Sequence, residues 1–244
     1  MKIYKEIFFK EYRKEFGNLT QKQVVGMESV IDFWNKNDSL VDLRWLSYIF
    51  ATIHHETGAR WEAIREGFAK DNETAIRIIT NMFNRGRIKT NYALPLKNGN
   101  SYYGRGFDQM TWADNYLKQQ NKTKDRIKYY DEPDLALDLD NNAERVTLAM
   151  VDGDYTGRKL SQYFNNNNSK WDTARAIING KDKMFLIGGY AKQFYKCFTH
   201  EKVRLNLAEW LALKKEKLSP AKAIDGVNRS WGGEPAKKAE IIND

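Results

Sequence analysis

The segment Ile53-His54-His55-Glu56-Thr57-Gly58 is where acid–base chemistry is easiest to read in this chain. Trp45, Ile49, Thr52 and Glu56 are spaced four, three and four apart, so Glu56 shares a helical face with a bulky series. It falls in the last turn, where partial desolvation and the negative end of the helix dipole both favour a protonated carboxyl. A carboxylic acid held in that form can protonate the oxygen of a departing sugar. The adjacent histidines raise the question of metal. The spacing H-E-x-x-H is absent, since Thr57, Gly58 and Ala59 follow Glu56 and the one remaining histidine is His200. His54 and His55 therefore read as structural, and no metal or organic cofactor is expected.

A glycosidase needs a second carboxylate. Glu62 and Glu66 lie within reach; an inverting mechanism wants the pair about 6.5–9.5 Å apart, with room for a water. Spacing alone does not choose between them. A further segment, Tyr102-Tyr103-Gly104-Arg105-Gly106-Phe107-Asp108-Gln109-Met110-Thr111-Trp112, places two glycines around an arginine after paired tyrosines. That pattern implies a tight loop that approaches something closely. The tyrosines serve either a site or the core. The segment lacks the third glycine and preceding strand of a dinucleotide-binding turn.

The elements that must position these residues read as helices throughout. Thr20 and Gln23 form a capping box ahead of Val24, Met27, Ile31 and Trp34 on one face. Asp42 is a plausible cap for a helix reaching Glu56, and Gly58 suits its end. Further helices are expected at 112–120, 139–152, 171–179 and 182–197; the Asn-, Lys- and Arg-rich stretch 69–101 reads as a short helix over 73–83 followed by a surface loop, and 165–168 as a polar loop. After His200, Val203, Leu207, Trp210, Leu211 and Leu218 make a helical stripe that ends at Ser219-Pro220. Two regions follow: a catalytic domain over 1–199 and a helical extension over 200–244, docked or binding a partner or wall.

The composition narrows the class. Hydrophobic residues form 41% of the 244, enough for an ordinary core. The net charge of +8 favours an anionic partner. No arginine-rich tract, zinc-finger spacing or RNA-binding aromatic signature points to nucleic acid. One cysteine, Cys197, allows no intrachain disulfide. Met1 to Phe16 lacks the apolar run of a signal peptide, and no stretch approaches the roughly 20 apolar residues of a membrane span.

His55-Glu56-Thr57, followed by Tyr102-Tyr103-Gly104-Arg105-Gly106-x-x-Gln109-x-Thr111-x-x-x-Asn115-Tyr116, resembles the glycoside hydrolase family 19 chitinases. The bacterial and phage branch, which includes endolysins, is nearer. Asp42 to Tyr48, Ile64-Arg65-Glu66, Pro133 to Leu137, Thr156 to Leu160 and Ala174-Arg175-x-Ile177-Ile178-Asn179-Gly180 share in the likeness, which spans roughly residues 18–197. It implies a mainly α, lysozyme-like, two-lobed helical fold with a central substrate cleft. It also implies hydrolysis of β-1,4 bonds next to N-acetylglucosamine with inversion. In that pattern Glu56 matches the general acid, and Glu66 looks like the general base, with Glu62 as the alternative. Thr111 matches the hydroxyl that helps hold the attacking water. Gln109, Asn115 and Asn179 match sugar-binding polar residues, and Tyr103, Arg105 and Arg175 match cleft supports or substrate contacts. Phe107-Asp108 replaces the small residue and proline of plant-type chitinases, and the lone cysteine excludes their disulfides.

The expected activity is therefore that of a monomeric, peptidoglycan-degrading glycosidase. It would be made in the cytoplasm and reach the wall through a holin, a virion or an export machine. A chitinase acting on chitin is the alternative within enzymes. A non-catalytic wall-binding or virion structural protein is the alternative outside them.

Overall fold

A computed structural model of the protein describes residues 2–199, 204, 205 and 212. After a two-residue strand β1 (Lys2–Ile3) come α1 (Lys5–Phe16), α2 (Gln21–Lys36) and α3 (Leu43–Glu56). The expected capping box forms in α2: Thr20 accepts from the Gln23 amide, and the Gln23 side chain accepts from the Thr20 amide. Met27, Ile31 and Trp34 are buried as the spacing implied. Asp42 caps α3 by accepting from the Arg44 amide at 2.9 Å.

The middle of the chain runs through β2 (Ile64–Arg65), α4 (Asn72–Asn84), β3 (Arg105–Gly106), α5 (Ala113–Lys122) and α6 (Leu139–Asp152). The rest comprises α7 (Leu160–Tyr163), β4 (Phe164–Asn165), β5 (Asn168–Ser169), α8 (Met184–Thr199) and β6 (Arg204–Leu205). The strands pair antiparallel as β1 with β6, β2 with β3 and β4 with β5. The structure is thus mainly α, as expected. One correction concerns 171–179. It is not an α-helix; Thr173–Ile177 form a 3-10 turn. The helical stripe read from Val203 to Leu218 lies outside the described residues, apart from the pairing of Arg204–Leu205 with β1. Among the described residues no helix is long and apolar enough to cross a membrane.

Three apolar clusters form among the described residues. The largest joins α1, α2, α3, α6 and α8, with Phe8, Phe50, Trp61, Phe194 and Phe198 at its centre. A second gathers Tyr102, Met110, Tyr116, Ile127, Tyr129 and Ala136; a third gathers Ala69, Ala75, Ile79, Ala93 and Tyr103. Tyr102 and Tyr103, adjacent in sequence, enter different clusters. This answers the question the paired tyrosines posed: both are core residues, 2% and 0% exposed.

Candidate active site

Glu56 ends α3 at the edge of the largest cluster, with Ile49 and Thr52 buried behind it. Thr57 locks the turn that follows. Its buried hydroxyl donates to the Ile53 carbonyl at 2.8 Å and accepts from the Trp61 amide at 3.1 Å. Trp61 is fully buried at positive φ, and its carbonyl comes so close to α2 that a Cβ on Gly26 would stand 1.9 Å from it. Helix α2 thus braces the turn leaving Glu56. His54 is structural, as expected: the Trp61 indole donates to its Nδ1 at 3.4 Å, and its ring packs on Tyr190 and Phe194. Burial, with His55 adding to it, pushes the His54 imidazole down to about 4.

The environment of Glu56 corrects the sequence reading. A carboxyl among apolar groups was expected; instead Arg175 Nη1 donates to Glu56 Oε1 at 2.9 Å. The Arg175 side chain is 3% exposed and also donates from Nε to the Asp182 carbonyl. Arg175 therefore supports Glu56 from beneath and presents no surface to a substrate. Glu56 itself keeps 24% of its side chain exposed.

Glu66 enters through the β2–β3 pairing, in which Ile64 faces Gly106 and Arg65 faces Arg105. Its amide donates to the Gly104 carbonyl at 2.8 Å. Its Oε2 accepts from the Gly104 amide at 2.8 Å, and its Oε1 accepts from the Tyr92 hydroxyl at 2.5 Å. Desolvation and the bond to this carboxylate push the Tyr92 phenol well up. Gly104 lets both side chains approach: a Cβ there would meet Gln109 Oε1 at 2.9 Å and Glu66 Oε2 at 3.0 Å, and both would have to shift. Glu62, the alternative base, is occupied on the surface by Lys22 at 2.9 Å.

The loop beside Glu66 is closed by reciprocal backbone bonds between Arg105 and Met110. Helix α6 anchors it from below. Asn142 Oδ1 accepts from the Phe107 amide, and Arg145 donates to both oxygens of Asp108 at 2.6 Å. Tyr155 donates to Asp108 as well. These bonds explain the Phe107-Asp108 departure: Phe107 packs in the core and Asp108 is the loop's buried anchor. Gly106, at φ 87°, has no room for a Cβ against Asn142, Arg145 and the Ala136 carbonyl.

The remaining candidates divide into supports and surface groups. Arg105 is 1% exposed, lies over the Tyr103 ring at 3.7 Å, and donates to Asp134, the Ser101 carbonyl and Asn72. Tyr103 donates to Asn72. Both side chains are buried, so of the two roles expected for them, support or substrate contact, their placement fits support. Gln109 spends its amide hydrogens on the Ile64 and Gly106 carbonyls, which leaves Oε1 as its group for a ligand. Thr111 donates to the Gln109 carbonyl and keeps lone pairs to accept from water. Asn115 and Asn179 are exposed, and Asn115 donates to the Thr111 carbonyl. Beyond Gln109, Thr111 and Asn115 lies a hollow of about 240 Å³ that also meets Lys118, Asp154 and Ile178.

Sequence reasoning missed Tyr92, Asn142, Arg145 and Tyr155. Tyr92 sits in a polar loop with no periodicity to mark it. Asn142 and Arg145, three apart on α6, carry the signal that could have found them, a polar pair on a face otherwise made of Ala143, Val146 and Met150.

No family model and no curated protein matches the chain. Among solved structures it is similar to chitinase C from Streptomyces griseus, with a TM-score of 0.50 and 18% identity over 83% of this chain and 79% of that one. That likeness is one of fold, and it agrees with the helical, lysozyme-like architecture that the motifs implied.

Proposed function

We propose that this protein is an inverting glycoside hydrolase that cuts β-1,4 bonds between N-acetylated amino sugars, with bacterial peptidoglycan as its substrate. The observation that carries the reading is the setting of Glu66. Its carboxylate is held by a phenol and a backbone amide, beside the loop whose hydroxyl is Thr111. Glu56 is the acid: Arg175 engages Oε1, which leaves Oε2 as the oxygen that carries and delivers a proton to the glycosidic oxygen. Glu66 takes the proton of a water that Thr111 helps orient, and the water attacks the anomeric carbon from the opposite face. Asn115, Asn179 and Gln109 Oε1 bind the sugar amides and hydroxyls. The chain needs no metal or cofactor for these steps.

The wall is favoured over chitin by the net charge of +8 and by the endolysin-like motifs. On that reading the protein acts after release by a holin, a virion or an export machine. The chitinase reading is favoured by the fold of its structural neighbour. Zymography on purified wall beside colloidal chitin decides between them. NMR of the first product's anomeric proton tests the stereochemistry. Clearing of wall with an inverted anomer is expected; a retained anomer overturns the mechanism.

A further inference from the structure

Five non-glycine residues at positive φ lie on the two segments that lead out of Glu56 and carry Glu66 and Thr111: Ala59, Trp61, Phe68, Gln109 and Trp112. Bulky side chains avoid this conformation because the Cβ crowds the backbone carbonyl. Trp61 is core, and Phe68 has the Arg60 guanidinium over its ring. Trp112 is neither core nor covered by a guanidinium; its amide is tied to the Tyr102 carbonyl at 2.8 Å, and its indole is left at the surface. It stands at the head of α5, where a Ser, Thr, Asp or Asn would cap the free amides, and it makes no capping bond. Its φ is 74° and its side chain is 47% exposed. Local stability thus favours another residue at this place on three counts.

What the backbone gains is an indole turned outward on the wall of the hollow shared with Thr111, Asn115 and Gln109. Tyr92 packs against it at 5.0 Å between ring centroids, and the hydroxyl of the same Tyr92 holds Glu66. An indole braced from one side offers its remaining apolar surface to the C–H face of a pyranose, while amides at its edge suit an N-acetyl group. We propose that Trp112 is a sugar-stacking platform of the active site and that Tyr92 is a positioning residue linking this platform to Glu66. This rests on the glycosidase reading above.

The test uses Trp112→Gly, because glycine is the residue the backbone conformation prefers. In a Glu56→Gln background, calorimetric titration with the chitin tetrasaccharide should show affinity about tenfold weaker for Trp112→Gly. Trp112→Phe should retain most of it, with no loss of Tm in either variant. Tyr92→Phe in the active protein should lower kcat and leave KM unmoved, as expected of a group that places the base. Equal tetrasaccharide affinity with and without the indole overturns the platform, as does a protein that binds no tetrasaccharide. The glycosidase reading fails separately, if the parent protein releases no reducing ends from wall or chitin.

Discussion

A side chain that takes a proton from water must be fixed in place and still left basic. Neither donor to Glu66 carries a charge, whereas Glu62 is neutralised by Lys22. Glu66→Gln should therefore reduce turnover on the order of 10²–10⁴-fold, and Glu62→Gln should leave it within about twofold, as reducing-sugar assays would show. Equal losses would mean that the base is misassigned. At this scale the sequence was informative where the partner is local. The four-three-four spacing places Glu56 at the end of α3, with Ile49 and Thr52 buried behind it. The family likeness marked Arg175 as a cleft support or substrate contact, but nothing in the sequence paired it with Glu56, which lies 119 residues away. No periodicity encodes such a pairing. Tyr92 was hidden for the same reason, in a loop whose polar composition gave no face to count.

The helices matter here chiefly for what their ends hold. Helix propensity favours alanine over glycine in a helix interior by about 1 kcal/mol. Gly26 in α2 is nonetheless irreplaceable, because a Cβ would stand 1.9 Å from the Trp61 carbonyl. Gly26→Ala should lower Tm and lower activity with it, since the displaced backbone is the turn leaving Glu56; a stabilised and fully active variant would contradict this bracing. The same turn makes stability depend on pH. His54 is held near 4 when folded, against 6.5 when free. The unfolded chain then binds a proton that the folded one refuses, so stability falls as pH drops from about 6.5 towards 4 and levels off below. The loss is about 3 kcal/mol at most. Urea titrations across that window should show the decline, and His54→Met should flatten it. The capping box and α3 were legible because their signals are local. The 3-10 turn at Thr173–Ile177 was read as a helix because its apolar spacing is compatible with one. Its geometry serves instead to bring buried Arg175 beneath Glu56.

Across the whole molecule, the three candidate catalytic residues emerge at the margins of three apolar clusters. Glu56 follows Ile53 of the first, Thr111 follows Met110 of the second, and Glu66 precedes Ala69 of the third. Composition foretold a sizeable core and could not foretell its division, which depends on contacts distant in sequence. The net charge acts at this scale too. Attraction to an anionic wall is screened within about 8 Å at physiological salt. Wall lysis should therefore fall several-fold between low and high ionic strength, while cleavage of a neutral chitin oligosaccharide should change little. Equal salt dependence on both would remove charge as the reason to favour wall. The central claim concerns bond, substrate and acid together. Mass spectrometry of the fragments released from purified peptidoglycan by the parent protein and by Glu56→Gln tests all three. The account predicts glycan fragments with new reducing ends from the parent and none from a folded Glu56→Gln protein; undiminished release by that variant would contradict it.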